Sequence, residues 1–148
     1  MSTHPQLLEE LEENLGLLLR SMKQESLRKA KAVSPELQGA GFMALGYVHH
    51  HQPCRVMDIA SYFGIDKGAI SRHVQQLEEL GLVRREKSAS DNRSSLLYLT
   101  EAAEEKLAAL RSTGREAWSD SLADWADVEL ETLNELLVKL QASLKERP

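Results

Sequence analysis

The chain has 148 residues, enough for one domain of ordinary size, and 42% of them are hydrophobic, which is enough for a real core. Only 5% are aromatic and 28% are charged, a composition typical of a helix-rich soluble protein. No apolar run approaches the roughly 20 residues needed to span a bilayer, and the N-terminus lacks the basic-then-apolar layout of a signal peptide. We therefore expect a cytoplasmic protein without a membrane partner.

Charge is unevenly distributed along the chain. The formal net charge is −5, which taken alone argues against a nucleic-acid partner. The segment from Arg55 to Arg93 nevertheless carries +1, and the rest of the chain carries −6. The mildly basic middle of the chain would suit contact with a nucleic acid, and the acidic ends would then have another function.

The two ends of the chain are each predicted to form a helix with one apolar face. The first stripe consists of Leu8, Leu11, Leu15, Leu18 and Met22, at steps of three and four. The last helix, with Asp127 as its predicted cap, carries Leu130, Leu133, Leu137, Leu140 and Leu144. Such a stripe must be buried on something. It packs either on the protein's own core or on a second copy in a symmetric dimer, and stripe geometry leaves both open.

A second helix is predicted after the first. Ser34 is its expected N-cap, Pro35 its first helical residue, and it stops before Pro53. Its glycines weaken the helix prediction, or permit close packing against a neighbour.

The segment from Val56 to Gln75 has the internal spacing of a helix-turn-helix. Ala60 provides the small residue needed where two helices cross, and Gly64, four residues later, tolerates the positive φ of the turn. Ile70 then faces the first helix from the second helix, which Asp66 caps. The remaining inner positions are filled by Ile59, Phe63, Ile65, Val74 and Leu77.

The outward face of that second helix is rich in hydrogen-bond donors and small at its N-terminal end. It carries Lys67, Gly68, Ser71, Arg72, Gln75 and Gln76. A recognition helix presents such a face to base edges and phosphates in the major groove. An ordinary solvated face has similar residues, but the agreement between this face and the internal spacing favours the DNA-binding interpretation.

Two short strands, LVRREK and SSLLYL, are predicted next, joined by a polar, turn-prone segment. Thr100 then caps a long helix that carries Trp118 and Trp125 on one face, at a spacing of seven. The order helix, turn, helix, strand, hairpin, strand defines a winged helix. The predicted fold is therefore mainly α with a small β-hairpin.

The sequence resembles the MarR family of bacterial transcription regulators. The resemblance is carried by DIASYFGIDKGAISRHVQQLEELGLVRRE followed by SDNRSSLLYLT. It is most specific in the L-x-x-L-G-L-V-x-R run from Leu77 to Arg85 and in the acid-x-Arg wing tip at Asp91 and Arg93. It covers nearly the whole chain and implies a winged helix-turn-helix DNA-binding region at 34–100, flanked by a helical dimerisation region formed by 1–33 and 101–148.

The resemblance also implies a function. Such proteins are homodimers with intertwined terminal helices, and their two winged helices bind a pseudo-palindromic operator in double-stranded DNA. We accordingly expect a repressor without a cofactor, released from DNA by a small, often aromatic, effector. By the same analogy Phe42 and Tyr47 are candidate pocket residues.

Arg93 is the expected wing contact, because an arginine at a hairpin tip can enter a narrow, electronegative minor groove. Asp91 is expected to hold Arg93 or a stem arginine in place and to shape the turn. Family wings often carry further arginines where Ser94 and Ser95 stand here, so this wing should contribute less charge. The basic residues of the stem are expected to compensate: Arg84, Arg85 and Lys87.

Cys54 and the run His49 to His51 are candidate sensors. Cys54 is the only cysteine, so no internal disulfide is possible, and a redox role would need a lowered thiol pKa and a partner. Consecutive residues on a helix point about 100° apart, so the three histidines cannot all converge on one metal ion. An inert cysteine and a polar helix end are the favoured interpretations, and no metal site is predicted.

No nucleophile–base pair, glycine-rich phosphate loop or paired-carboxylate motif stands out, so we do not predict an enzyme. Two alternatives stay open. One is a thiol- or metal-responsive regulator of the same fold, and the other is a winged helix used only for protein–protein contacts.

Overall fold

The structure is a computed structural model that describes residues 1–90 and 94–145. Within these ranges the elements are α1 (His4–Val33), α2 (Gly39–His51), α3 (Val56–Phe63), α4 (Lys67–Glu79), β1 (Val83–Lys87), β2 (Ser95–Leu99), α5 (Glu101–Ser121) and α6 (Asp127–Lys145). The chain divides into two compact units, one from Met1 to Leu110 and one from Arg111 onward. The predicted fold class, mainly helical with one hairpin, is confirmed.

The connection between α1 and α2 differs from the prediction. Ser34 does not cap α2; its N–H donates to the carbonyl of Ala30 at 3.0 Å and ends α1. The carbonyl of Ser34 accepts the N–H of Leu37 at 3.0 Å, which forms a turn before α2 begins at Gly39. The turn places Leu37 in the core at 1% exposure, and this burial outweighs the Ser-Pro start signal.

The helix-turn-helix prediction is confirmed by α3 and α4. Gly64 ends α3 with φ 63° and ψ 33°, the left-handed conformation that glycine adopts readily. The N–H of Ile65 donates to the carbonyl of Ala60 at 3.0 Å, and the carboxylate of Asp66 caps α4 by accepting the N–H of Ala69 at 3.2 Å. The buried inner residues are Ile59, Ala60, Ile70, Val74 and Leu77.

Gly41 permits α2 to pack closely in the core, which is one of the two interpretations that the glycines left open. A Cβ at this position would lie 2.7 Å from Cδ1 of Leu37 and 3.9 Å from Nδ1 of His73 on α4. At Gly39 and Gly46 a Cβ would meet nothing within 4 Å. Only Gly41, of these three, is therefore required by packing.

The hairpin has a register that separates its basic residues. The paired residues are Val83–Leu99, Arg84–Tyr98, Arg85–Leu97, Glu86–Leu96 and Lys87–Ser95. Because side chains alternate along a strand, Val83 and Arg85 share the core-facing side, and Arg84 and Glu86 share the outer side. On the far side of β2, Cys54 forms an isolated antiparallel bridge in which the N–H of Leu97 donates to its carbonyl at 2.8 Å.

The start of α5 confirms its predicted cap, and the start of α6 does not. The hydroxyl of Thr100 accepts the N–H of Ala103 at 3.2 Å. Asp127 is the first residue of α6 rather than its cap. The capping interaction there comes from Glu129, whose carboxylate accepts the N–H of Ala126 at 2.8 Å.

The two tryptophans do not share a helix face. Trp118 lies on α5, but that helix ends at Ser121. Trp125 lies in the connection to α6, where its N–H donates to the carbonyl of Leu122 at 3.0 Å in a turn. The prediction of one continuous helix through both residues is therefore wrong.

Both terminal leucine stripes are solvent-exposed. Leu11 and Leu18 on α1 are 42% and 49% exposed, and α6 contains no buried residue. The exposed stripe residues are Leu8, Leu11, Leu18 and Met22 on α1, and Leu133, Leu137 and Leu144 on α6. No helix in the described ranges is long and apolar enough to cross a membrane.

Candidate nucleic-acid interface

The outward face of α4 brings the predicted helix residues together on one surface. Lys67, Gly68, Arg72 and Gln75 are exposed, and Ser71 and Gln76 are half-buried. The opposite face is held by buried Ile70, Val74 and Leu77. The donor-bearing side chains therefore project from a helix that is fixed in the core.

Gly68 has a local reason to be glycine. A Cβ there would lie 2.9 Å from Oδ2 of Asp66, the same oxygen that accepts the N–H of Ala69. Gly68 thus leaves room for the cap. The cap also places a carboxylate at the N-terminus of α4, where a bare helix end would attract phosphate. The exposed amine of Lys67 is the positive group at this end of the helix.

The two glutamines of α4 have different partners. The side-chain amide of Gln76 donates to the carbonyl of Glu36 at 3.1 Å and ties α4 to the turn before α2. Gln75 is exposed, and its amide donates to Glu79 one turn along the same helix at 3.4 Å. Gln75 is therefore the more exposed of the two, and Gln76 supports the packing of α4.

Arg84 is held on the outer side of the hairpin. Its guanidinium carbon lies 4.5 Å from the centroid of the Tyr98 ring, a distance suited to a cation–π interaction. The guanidinium also hydrogen-bonds the carboxylate of Glu86 on the same strand. The side chain is about half-exposed, so Arg84 stays open to an external anion.

Arg85 points the other way and binds α4. Its Nε donates to Oε1 of Glu78 at 2.5 Å, and the two side chains are 35% and 32% exposed. Lys87 is exposed at the end of β1. The three stem residues therefore do not form one surface, because Arg84 and Arg85 project from opposite sides of the sheet.

The predicted wing tip, at Asp91 and Arg93, lies outside the described residues. Beside them, the N–H of Ser88 donates to the carbonyl of Ser94 at 3.2 Å and extends the hairpin beyond the paired strands. The stem of the wing is thus formed up to Ser88 and Ser94.

A polar link that sequence reasoning missed joins the winged helix to α5. The side-chain carbonyl of Gln52 accepts the N–H of Leu99 at 2.9 Å, and its amide donates to Glu104 at 2.8 Å. On the same helix, the amine of Lys106 donates to the carbonyl of Val33 at 3.0 Å, near the C-terminus of α1. These partners lie 47 to 73 residues apart, so no local pattern could have indicated them.

His49 and His51 have different partners, and the ring of His50 lies 4.9 Å from that of His49 and 6.5 Å from that of His51 between centroids. Nδ1 of His49 lies 3.3 Å from a carboxylate oxygen of Glu104. The ring of His51 stacks on Tyr47 with 4.1 Å between centroids, and its Nδ1 lies 3.1 Å from the Tyr47 carbonyl. In the parts of the chain that the structure describes, no three His, Cys, Asp or Glu side chains are grouped to hold a metal ion.

Cys54 lies in an environment opposite to that of a reactive thiol. It is 4% exposed, and burial, with a smaller effect from Asp58, raises the pKa of its thiol to about 11. Redox sensing needs an accessible thiolate. The structure therefore agrees with the filler interpretation of Cys54 and opposes the sensor interpretation.

The two candidate pocket residues are partly buried against the core. Tyr47 belongs to an aromatic cluster with His51, Tyr62 and Phe63, with ring centroids 4.1 to 6.2 Å from its own. Burial is the main cause of a raised pKa for the Tyr47 hydroxyl. Tyr47 thus has a packing role whether or not a ligand binds beside it.

Comparison with known proteins identifies the sequence family of the winged-helix region. Residues 37–94, which run from the turn before α2 to the residue before β2, match the sequence model of the MarR family. The winged-helix region belongs to the MarR family. The resemblance predicted from the helix-turn-helix and wing motifs is confirmed.

Solved structures share this MarR fold over most of the chain. A MarR transcriptional regulator from Methanosarcina mazei Go1 is 21% identical, with a TM-score of 0.75, over 94% of this chain and 99% of its own. A MarR/EmrR family transcriptional regulator from Acinetobacter sp. ADP1 is 21% identical, with a TM-score of 0.71, over 94% and 97%. A probable transcriptional regulator from Pseudomonas aeruginosa is 27% identical, with a TM-score of 0.62, over 88% and 98%.

Proposed function

We propose that the chain is a sequence-specific DNA-binding transcription regulator that acts as a homodimer on a pseudo-palindromic operator. The observation that carries this proposal is the exposed, donor-rich face of α4, which is fixed on a buried helix-turn-helix core and followed directly by a hairpin with a basic stem. The MarR-family winged helix supports it.

In this proposal α4 enters the major groove. Arg72 and Gln75 are exposed and have side chains that pair bidentately with guanine and adenine respectively. Lys67 and Lys87 are exposed and neutralise phosphates, which fix the register without reading sequence. Arg93, with Asp91 as its support, is proposed as the minor-groove contact of the wing.

The homodimer is proposed because the leucine stripes of α1 and α6 are exposed. Fully burying one leucine side chain contributes about 1.5–3 kcal/mol, so two stripes provide a strong driving force for association. A second copy offers the same stripes and forms a self-complementary interface about a two-fold axis. The same axis would place two α4 helices in successive major grooves of a palindromic site, about 34–36 Å apart.

Repression and release by a small aromatic effector complete the proposal. Phe42 and Tyr47 on α2 are proposed to line the effector site, in keeping with their position at the edge of the core. A thermal-shift screen against small aromatic acids tests this, with Phe42→Ala as the variant. The expected hit raises the melting temperature of the wild type but not of the variant, and weakens DNA binding. A screen without any such compound contradicts effector release.

DNA binding itself is tested by selecting bound duplexes from random DNA and measuring affinity against salt. We expect affinity to fall steeply as salt rises, because phosphate contacts release counterions. Arg72→Ala should weaken binding to the selected duplex by about fivefold or more, since a bidentate arginine contributes about 1–3 kcal/mol. The matched control is Arg115→Ala, an exposed arginine on α5 with the same charge change. Equal binding by both variants contradicts the assigned surface.

The same measurement tests the alternative of a winged helix used only for protein contacts, for which the acidic total charge of the chain leaves room. A protein-only module binds no random duplex and shows no dependence on salt. Binding with a clear salt slope excludes it.

A further inference from the structure

The ion pair between Glu78 and Arg85 joins two elements that have separate tasks in the proposed function. Glu78 lies near the C-terminus of α4, and Arg85 lies in the middle of β1. The chain between them reverses at Gly81, which has φ 70°, and the N–H of Leu82 donates to the carbonyl of Leu77 at 2.9 Å. The pair therefore braces the hairpin against α4 beyond the turn that connects them.

The register of the hairpin explains why Arg85 braces and Arg84 does not. Arg85 pairs with Leu97, which is 0% exposed, so its side chain leaves the sheet on the side toward the core and α4. Arg84 leaves on the opposite side, over Tyr98. An arginine whose Nε is engaged by a carboxylate on α4 is oriented by that helix.

We infer that Glu78 and Arg85 are positioning residues that set the wing relative to the recognition helix, and that Arg85 is not a phosphate contact. The inference rests on the proposed function and deepens it. A winged helix contacts two DNA grooves at once. A small rotation of the hairpin against α4 therefore prevents simultaneous contact with both grooves, even when every contacting side chain is intact.

The test compares Glu78→Gln, Arg85→Gln and the exchanged pair E78R/R85E, with Arg115→Gln, which removes the same charge from an exposed position on α5, as the control. Affinity is measured for a duplex selected by the wild type, across a salt series. We expect Glu78→Gln and Arg85→Gln each to bind about threefold more weakly, in line with a partly exposed pair, without a change in salt slope. The exchanged pair should restore most of the affinity.

Glu78→Gln is the decisive variant, because positioning and simple electrostatics predict opposite signs. Removing a carboxylate near DNA strengthens binding if only charge matters. Glu78→Gln that binds as tightly as the wild type or more tightly overturns the inference. An Arg85→Gln variant that lowers the salt slope by about one also overturns the inference, because that change indicates a lost phosphate contact. An exchanged pair that binds no more tightly than the single variants overturns it as well.

Failure of the inference and of the proposed function can be told apart. A wild-type chain that binds no duplex at any salt concentration contradicts the proposed function and, with it, this inference. A wild type that binds with a salt slope, together with unaffected Glu78→Gln, overturns the inference alone.

Discussion

Arg84 lies across the strand from Tyr98, its directly paired residue, with the guanidinium carbon 4.5 Å from the centre of the phenol ring. The ring supports the one stem arginine that projects from the outer side of the hairpin. Glu86 holds the same guanidinium from along the strand. The orientation of Arg84 is therefore set by two neighbours before any ligand arrives.

This relationship predicts a loss of stability when the ring is removed. Tyr98→Leu should lower the free energy of unfolding by about 0.5–1 kcal/mol, the contribution of an exposed cation–π pair. Tyr98→Phe keeps the ring and should leave it nearly unchanged. Urea unfolding followed by circular dichroism measures both. Equal losses in the two variants would assign the effect to the hydroxyl instead.

Substitutions of Gly41 and Gly46, both on α2, should change stability in opposite directions. Gly41→Ala should destabilise the fold by about 1–3 kcal/mol, because its Cβ would lie 2.7 Å from Cδ1 of fully buried Leu37. Gly46→Ala should instead stabilise it by up to about 1 kcal/mol, since nothing lies within 4 Å and alanine favours the helix. Thermal unfolding of both variants checks the signs, and a stabilising Gly41→Ala contradicts the packing described for α2.

Gln52 stabilises the junction of β2 and α5, so replacing it should lower the free energy of unfolding. Gln52→Leu removes the acceptor of the Leu99 N–H and the donor to Glu104. We expect a loss of about 1–3 kcal/mol in unfolding free energy, because Leu99 is buried and its N–H is left unpaired. Gln75→Leu, at an exposed position of α4, serves as the control and should change stability by no more than about 0.5 kcal/mol.

The buried thiol of Cys54 should make the folded state less stable at alkaline pH. Burial raises its thiol pKa from 9.0 to about 11, so the folded state holds the proton more tightly than the unfolded state. The resulting stabilisation is fully present below pH 9.0 and is lost as the pH rises from there toward 11. Cys54→Ala has no thiol, so its unfolding free energy should fall less than that of the wild type between pH about 8 and about 10.5. An identical fall in both proteins contradicts the raised pKa.

If the exposed stripe of α1 forms the proposed homodimer interface, association of two copies should depend on its leucines. Leu18→Lys should shift the protein toward monomer in analytical ultracentrifugation, because a charge replaces an apolar contact at the interface. Gln24→Lys adds the same charge on the opposite face of the helix and should leave association unchanged. A wild type that is monomeric at all concentrations contradicts the proposed homodimer.

The sequence predicted the parts of this fold that depend on local spacing. Gly64 and Ile70 stand at fixed distances from Ala60, and each has the conformation or burial that its spacing required. The N-cap expected at Ser34 was wrong, because the demand to bury Leu37 is not visible in the cap signal. Local patterns are reliable here where the tertiary core agrees with them.

The candidate site was predicted as a set of residue types but not as a geometry. The expectation that Arg84 and Arg85 act alike did not foresee the strand register, which sends them to opposite sides of the sheet. The hydrogen bonds of Gln52 join positions 47 and 52 residues apart and have no local signal. Side-chain direction and long-range pairing thus had to come from the structure.

The bridge between Cys54 and Leu97 has a consequence for aggregation. It closes the outer edge of β2 at its apolar centre, while β1 covers the other edge. The open edge of the hairpin therefore belongs to β1, where four consecutive charged residues, from Arg84 to Lys87, oppose pairing with a strand of another chain. The most strand-prone sequence of the hairpin, the run through Leu96 to Leu99, is thus shielded on both sides from growth into an intermolecular sheet.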